Sequence, residues 1–341
     1  MPPNASDITS LETVRALVLR ETGTGPGPSV ELLGVSAFPD APVRVAVEYS
    51  SLNYKDALIL SGKGYRASVY PMVPGIDLAG TVVDSRAPGF RAGDRVVLNG
   101  AGIGETRWGG YAELASVDPS NLVVLSPRLT TRDAMALGTA GLAAALAVLA
   151  IEDARVPNDG RGVLVTGAAG GVGSLSVALL AARGYRVVAS SGRAETHDWL
   201  RGLGAHEVIG RLSSVVATNG LAAERWSAAV DTVGGNGLAD IAAQIEYGGA
   251  IAATGFVGGM TSTLHLAPFL LRSVRLFGIN TSGCPVNRRA RAWSFLADHT
   301  PRQVIEDGVE EIGLDEVPAW AERLLRGQVR GRVVVRPGAA R

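Results

Sequence analysis

Gly162-Val163-Leu164-Val165-Thr166-Gly167-Ala168-Ala169-Gly170-Gly171-Val172-Gly173 runs an apolar strand, Gly162 to Thr166, into a glycine-rich turn, and an Ala/Leu-rich helical run follows. Such a turn aims backbone N–H groups at whatever lies above the helix N-terminus, where the macrodipole favours a pyrophosphate. The chain returns through a second strand, Tyr185 to Ala189, which ends in Ser190-Ser191-Gly192-Arg193. An NAD site expects an acidic residue about 20 residues past the glycines, to hold the ribose 2′-OH; an NADP site carries small hydroxyls and an arginine that meet a 2′-phosphate. Ser191 and Arg193 stand at that position, so the cofactor read from the residues is NADPH. The turn departs from G-x-G-x-x-G in placing Ala169 at the middle glycine, and alone it is a weak signal. Its setting strengthens it, because strand, turn, helix, strand and basic terminus fall within one βαβ length.

Composition narrows the rest. A chain of 341 residues with 47% hydrophobic residues can bury a large core and is expected to form two domains. The 44 glycines are dispersed without a repeat, which excludes a fibrous or low-complexity chain. Thirty-two basic residues balance 32 acidic ones, leaving no electrostatic footprint for nucleic acid or an anionic membrane. One cysteine, Cys284, excludes an internal disulfide framework and a multi-cysteine zinc site, and suits a reducing cytoplasm. The N-terminus, Met1 to Thr13, lacks a basic region followed by an apolar core, so a loose tail is expected there and no secretory signal. Ala134 to Ile151 carries no charge and approaches the length of a membrane span, but it is mostly Ala and Gly with Glu152, Asp153 and Arg155 directly after it. It is expected as a buried helix, with no membrane partner.

From Val14 to about Arg128 short strands alternate with turn residues: Val14 to Leu19, Val43 to Ser50, Gly80 to Asp84 and Asp94 to Leu98, with one short helix after Asn53. From Thr131 to about Asp298 strands alternate with helices, the pattern of a parallel doubly wound sheet. Its six strand candidates are Gly162 to Thr166, Tyr185 to Ala189, Glu207 to Ile209, Ala228 to Asp231, Ala250 to Thr254 and Val274 to Gly278. A helix, Val317 to Leu325, and a last strand, Arg332 to Val335, are expected to return to the β region. The fold class read is α/β, a Rossmann sheet over 131–299 joined to a mostly β domain built from 14–130 and 300–341.

Six segments carry a resemblance: Ser51-Leu52-Asn53-Tyr54-Lys55-Asp56-Ala57-Leu58, Pro74-Gly75-Ile76-Asp77, Trp108-Gly109-Gly110-Tyr111-Ala112-Glu113, Gly138-Thr139-Ala140-Gly141, Ser191-Gly192-Arg193 and Asp231-Thr232-Val233-Gly234. They are long, in order and spread over both domains. The chain resembles the zinc-independent medium-chain dehydrogenase/reductases of the quinone oxidoreductase-like group, and within it the NADPH-dependent acrylyl-CoA reductases. The resemblance implies a GroES-like catalytic domain, a homodimer paired through the strand Val274 to Gly278, and reduction of an activated C=C bond. The substrate implied is a short enoyl-CoA such as acrylyl-CoA. A quinone or enone reductase of the same fold, and a non-catalytic NADPH-binding module, are the alternatives.

The resemblance also assigns residues. Zinc alcohol dehydrogenases of similar fold take their metal with Cys and His ligands, and the matching positions look like Asn53, Ile76 and Gly138, none of which can serve. No metal is therefore expected. The first histidine is His197, so no histidine of the β domain can act as ligand or base; His197, His206, His265 and His299 read as surface or packing residues. Without zinc, the fitting chemistry is hydride addition to a conjugated double bond. Tyr54 is the candidate proton donor or enolate stabiliser and Asp56 the candidate orienting partner. Asn53 followed three positions later by Asp56 also reads as a helix capping box, and Tyr54 also as a residue that only covers the cofactor.

For the cofactor the resemblance points to Tyr54, to Ala169, Gly170, Gly171 and Val172 at the pyrophosphate, to Ser191, Gly192, Arg193 and Arg211 at the adenosine phosphate, and to Phe256 and Thr281 at the nicotinamide half. Arg272, Arg275, Arg288, Arg289 and Arg291 form the densest basic run, open either as a CoA phosphate site or as a solvated helix face. Lys55 and Lys63, the chain's two lysines, share one stretch with Tyr54 and Tyr65, by chance or because a compact ammonium is needed there. Trp108-Gly109-Gly110 reads as a turn with a packed aromatic.

Overall fold

The computed structural model describes residues 12–22, 25–63, 67–157, 160–213 and 219–338. The expected N-terminal tail up to Leu11, and Gly64 and Tyr65 beside the lysines, lie outside them. The chain forms two compact units: Met1–Thr139 with Thr281–Ala297 and Gly308–Arg341, and Ala140–Asn280 with Asp298–Asp307.

The first unit begins with β1 (Thr13–Thr22) and β2 (Gly25–Gly34), paired antiparallel. Then come β3 (Val43–Leu52), helix α1 (Tyr54–Ser61), β4 (Asp77–Ser85), β5 (Arg95–Asn99), β6 (Leu114–Val117) and β7 (Val123–Val124). Strand β3 shows why it is central. Val43, Val45 and Val47 enter one apolar cluster while Ala46 and Leu52 enter another, the period-2 signature of a strand buried on both faces.

Helix α2 (Thr131–Asp153) is broken at Gly138, whose φ of 54° and ψ of −154° are not helical. It is the one element among the described residues long and apolar enough to cross a membrane. Its apolar window is 89% buried within the protein, as expected of a core helix.

The second unit holds β8 (Val163–Val165), α3 (Gly171–Ala182), β9 (Val187–Ser190), α4 (His197–Gly202), β10 (Glu207–Ile209), β11 (Trp226–Asp231), α5 (Gly237–Ala242), β12 (Ile245–Ala253), α6 (Ala267–Leu271) and β13 (Arg275–Gly278). All neighbouring strands pair parallel, in the order β10-β9-β8-β11-β12-β13. That is the dinucleotide-binding order 3-2-1-4-5-6, with its reversal between β8 and β11. Strand β8, uniformly Val and Leu, is fully buried, as a strand covered on both faces must be.

Helices α7 (Val286–His299) and α8 (Arg302–Glu306) lead to β14 (Val309–Gly313), α9 (Val317–Leu325) and β15 (Arg332–Arg336). The expected return is realised: β15 pairs antiparallel with β3, and the sheet runs β14-β15-β3-β4-β5-β7 with β6 also on β3. Thr131–Thr139 and Thr281–Ala297, assigned from sequence to the dinucleotide-binding stretch, pack with the first unit. The physical reason lies in the hydrogen bonds that their Thr139, Arg289 and Trp293 make to Asp77 and Asn99.

Candidate active site and nucleotide cradle

In the second unit the glycine turn is shaped by close packing. A Cβ on Gly167, at φ +57°, would lie 2.3 Å from Thr232 Oγ1, and one on Gly173 would lie 2.3 Å from the Gly167 carbonyl oxygen. Gly170, having no side chain, caps α3 without a side-chain hydrogen bond to the helix's first N–H groups. The Asp231-Thr232-Val233-Gly234 stretch braces the turn: Thr166 Oγ1 donates to Asp231 Oδ1 at 2.5 Å, and Thr232 Oγ1 donates to the Thr166 carbonyl at 2.8 Å.

At the end of β9, Ser191 is buried and Arg193 half-buried. Arg193 N donates to Ser191 Oγ at 3.2 Å, and its Nη2 donates to the Ala169 carbonyl at 3.0 Å, so backbone and guanidinium of one residue join the strand end to the glycine turn. Arg211 is exposed and lies against Gly192, where a Cβ would come 2.5 Å from its Nε. His197 is half-buried, with Nε2 3.1 Å from the Ser191 carbonyl that accepts its proton. Two cations and a hydroxyl thus stand where an NAD site has a carboxylate. Phe256, three residues past β12, is 48% exposed and so is not a core residue.

The first unit encloses a polar network assembled from five separate segments. Its centre is Asp77, fully buried at the start of β4. Asp77 Oδ1 accepts from Asn99 Nδ2 at 2.7 Å and Thr139 Oγ1 at 2.6 Å; Oδ2 accepts from Ser51 Oγ at 2.6 Å, Asn53 Nδ2 at 2.8 Å and Thr139 N at 2.8 Å. The break at Gly138 makes this possible, because it turns the Thr139 N–H to Asp77 and the Ala136 carbonyl to Arg332 Nε, 3.1 Å away. The buried Arg332 also donates to Asn53 Oδ1 at 3.2 Å and Ser51 Oγ at 2.9 Å. Ser51 and Asn53 therefore bridge a buried carboxylate and a buried guanidinium. Burial pushes the Arg332 guanidinium below its usual value, with Asp77 and then Asp56 opposing.

Tyr54 opens α1 and is half-buried. Asp56, named beside it as a catalytic candidate, is fully enclosed: one oxygen accepts from Asn53 N and the other from Ile76 N, both at 2.9 Å. Its geometry is that of the capping box, which places Asp56 to orient the segment carrying Tyr54. Burial first, and then the Asp77 charge, raise its carboxyl to about 7.

Pro74-Gly75-Ile76-Asp77 and Trp108-Gly109-Gly110-Tyr111 interlock. A Cβ on Gly110 would fall 2.0 Å from the Asp77 carbonyl oxygen, and Tyr111 beside it is buried with its hydroxyl on the Ser51 carbonyl. Trp108 packs edge-on against Phe38 and donates to the Pro71 carbonyl, the packed turn that its sequence implies.

Two stretches behave otherwise than as binding surfaces. Of the basic run, Arg272 donates to the carbonyls of Ala222, Ala243 and Ile245, Arg275 to those of Ala154 and Gly248, and Arg289 to those of Asn99 and Thr281. Their donors serve backbone carbonyls, so the run is not a single phosphate surface; Arg288 and Arg291 are the exposed members. Lys55 pairs with Glu105 at 2.5 Å, which uses its ammonium for a local ion pair.

Asp77, Asn99, Thr139 and Arg332 were not singled out from sequence, although Asp77 and Thr139 lie in quoted motifs. The legible signal was a charge at the head of an otherwise apolar strand, as in Asp77-Leu78-Ala79 and Arg332-Val333-Val334-Val335.

Residues 171–298 match the zinc-binding dehydrogenase family, and 39–127 match the alcohol dehydrogenase GroES-like domain. The chain is 46% identical over 324 residues to the probable acrylyl-CoA reductase AcuI of Escherichia coli, covering 95% of this chain and 99% of the relative. It is 40% identical to the putative quinone oxidoreductase YhfP of Bacillus subtilis, over 90% and 94% of the two chains. The YhdH oxidoreductase of Salmonella enterica, solved in complex with NADP, superposes with a TM-score of 0.92 at 44% identity, covering 94% of this chain and 99% of that one.

The zinc that such a family name implies does not fit the positions that correspond to its ligands. Asn53's amide is committed to Asp77 and Arg332, Ile76 is apolar and buried, and a Cβ on Gly138 would lie 2.6 Å from both Arg332 Nη2 and Asp77 Oδ2. A divalent ion there would stand beside a guanidinium with no thiolate or imidazole to hold it.

Proposed function

The chain belongs to the medium-chain dehydrogenase/reductases, in the quinone oxidoreductase-like group with the acrylyl-CoA reductases, and on that premise we propose that it reduces an activated C=C bond with NADPH, converting a short enoyl-CoA such as acrylyl-CoA to the saturated thioester. The observation that carries the cofactor half is the end of β9, where Ser191, Arg193 and Arg211 surround Gly192 and no carboxylate replaces them. Ala169, Gly170, Gly171 and Val172 would hold the pyrophosphate through backbone N–H groups, and Ser191, Gly192, Arg193 and Arg211 the 2′-phosphate. Phe256, Tyr54 and Thr281 are the proposed residues for the nicotinamide half.

When bound, NADPH supplies the hydride that reaches the β-carbon of the conjugated system. Tyr54 is the proposed donor toward the thioester enolate or its α-carbon, and Asp56 positions it by capping α1. The substrate half rests on the 46% identity to a probable acrylyl-CoA reductase over nearly the whole chain. The similarity to a putative quinone oxidoreductase favours quinone or enone reduction as the second reading.

One assay separates them: NADPH consumption by the purified chain with acrylyl-CoA, simple enones and quinones. Turnover strongest with acrylyl-CoA is expected. Turnover with quinones alone would discard the thioester, and binding without any turnover would leave a nucleotide-binding module.

A homodimer joined along β13 fits the exposed sheet edge. Among the described residues β13 pairs only with β12, and Leu270, Leu271 and Leu276 are exposed nearby. A cytoplasmic location accords with the single, free Cys284.

A further inference from the structure

Among the described residues Arg289 is the largest that the fold encloses completely, at 0% exposure. It sits in the first turns of α7, and no carboxylate forms an ion pair with it among the described residues. Its guanidinium is divided instead between two backbone carbonyls from distant segments: Nη1 donates to Asn99 O and Nη2 to Thr281 O, each at 2.8 Å, and Nε has no hydrogen-bond partner. Enclosing an unpaired cation is costly, and an apolar side chain would fill the same space more cheaply. What an apolar residue could not do is hold two carbonyls in one plane at a set separation, which the rigid guanidinium fork does.

The surroundings reinforce the same junction. One helical turn on, Trp293 Nε1 donates to Asn99 Oδ1 at 3.1 Å, and Asn99 Nδ2 passes the link to Asp77. Across from it, a Cβ on Gly100 would lie 3.0 Å from Ser282 Oγ and 3.1 Å from Ser282 Cα, so the two backbones approach as closely as glycine allows. The Thr281–Ser282 segment is thereby pinned to the end of β5 from both sides.

We propose that Arg289 is a positioning residue for nucleotide binding: it clamps the Thr281 segment to the Asn99 carbonyl, and so fixes the place of a residue that faces the nicotinamide half of the cofactor. This rests on the reading of Thr281 as a cofactor-binding residue. The clamp acts at the end of the nucleotide that NADPH and NADH share, so its loss weakens both to the same degree. Loss of the phosphate cradle at Gly192 weakens NADPH alone.

The experiment is a fluorescence titration of Arg289→Met with NADPH and with NADH, under conditions where circular dichroism shows the variant fully folded, with hydrogen exchange followed over residues 279–284. Expected are Kd values raised roughly tenfold for both nucleotides with their ratio kept, and faster exchange in that segment. Unchanged Kd values with faster exchange would overturn the assignment, as would a loss confined to NADPH. Should Arg289→Met not fold, Arg289→Lys keeps the charge but can serve only one carbonyl well. A smaller, ratio-preserving loss is then expected, and no loss overturns the clamp. A wild-type chain that binds neither nucleotide overturns the reductase reading together with this one; normal wild-type binding that Arg289→Met leaves intact overturns the clamp alone.

Discussion

Single side chains at this scale are decided by what surrounds them. Asp56 and Arg193 make the contrast. The carboxyl of Asp56 is raised to about 7 by burial and by Asp77, so its neutral form belongs to the folded state. A raised carboxyl contributes stability that is complete below its ordinary value and is lost as pH climbs through about 7. Urea melts should show the wild type less stable at pH near 8 than near 5, by on the order of a few kcal/mol, with much of that difference gone in Asp56→Asn. A variant with the wild-type pH dependence would exclude Asp56 as its source. Arg193, half-buried at the end of β9, is the proposed phosphate-binding group. Arg193→Ala should raise the Kd for NADPH by about 10- to 100-fold and that for NADH little. Equal losses for both would remove the phosphate assignment.

Among the elements, α2 carries the sharpest constraint. Its length and apolar character were readable from Ala134 to Ile151, but its break was not, since nothing local sets Gly138 apart from Gly141, which lies three residues on. The break coincides with the Thr139 N–H donating to Asp77 and the Ala136 carbonyl accepting from Arg332. Any side chain at Gly138 would meet Arg332, Asp77 and Ser51 within 2.7 Å, at a φ of +54° that L residues rarely adopt. Gly138→Ala is therefore expected to cost about 3 kcal/mol or more in a thermal or urea melt. A midpoint equal to wild type would mean that the network yields to a methyl group. The capping of α1 is the opposite case, because Asn53 and Asp56 stand three residues apart and their bond is local enough to read from sequence.

For the whole molecule, the proposed dimer makes a further prediction. Light scattering at micromolar concentration should give a dimer, and Leu276→Lys on β13 should give a monomer with the same far-ultraviolet circular dichroism. A wild-type monomer would leave the exposed leucines of α6 and β13 without their proposed partner. The sequence alone determined the parallel sheet of the second unit, the glycine turn, the basic end of β9 and the return of β15. Each is written in short-range patterns: buried strands as apolar runs, turns as glycines, a phosphate site as residues within one βαβ length. Only the tertiary structure decided that Asp77, Asn99, Thr139 and Arg332 form one buried network, that Asp56 is fully enclosed and takes a second bond from Ile76, and that Arg289 holds two carbonyls and not a phosphate. Those outcomes depend on groups brought together from as far apart as Ser51 and Arg332. Whether a charge is buried and paired or exposed and free follows from packing, which no spacing along the chain encodes.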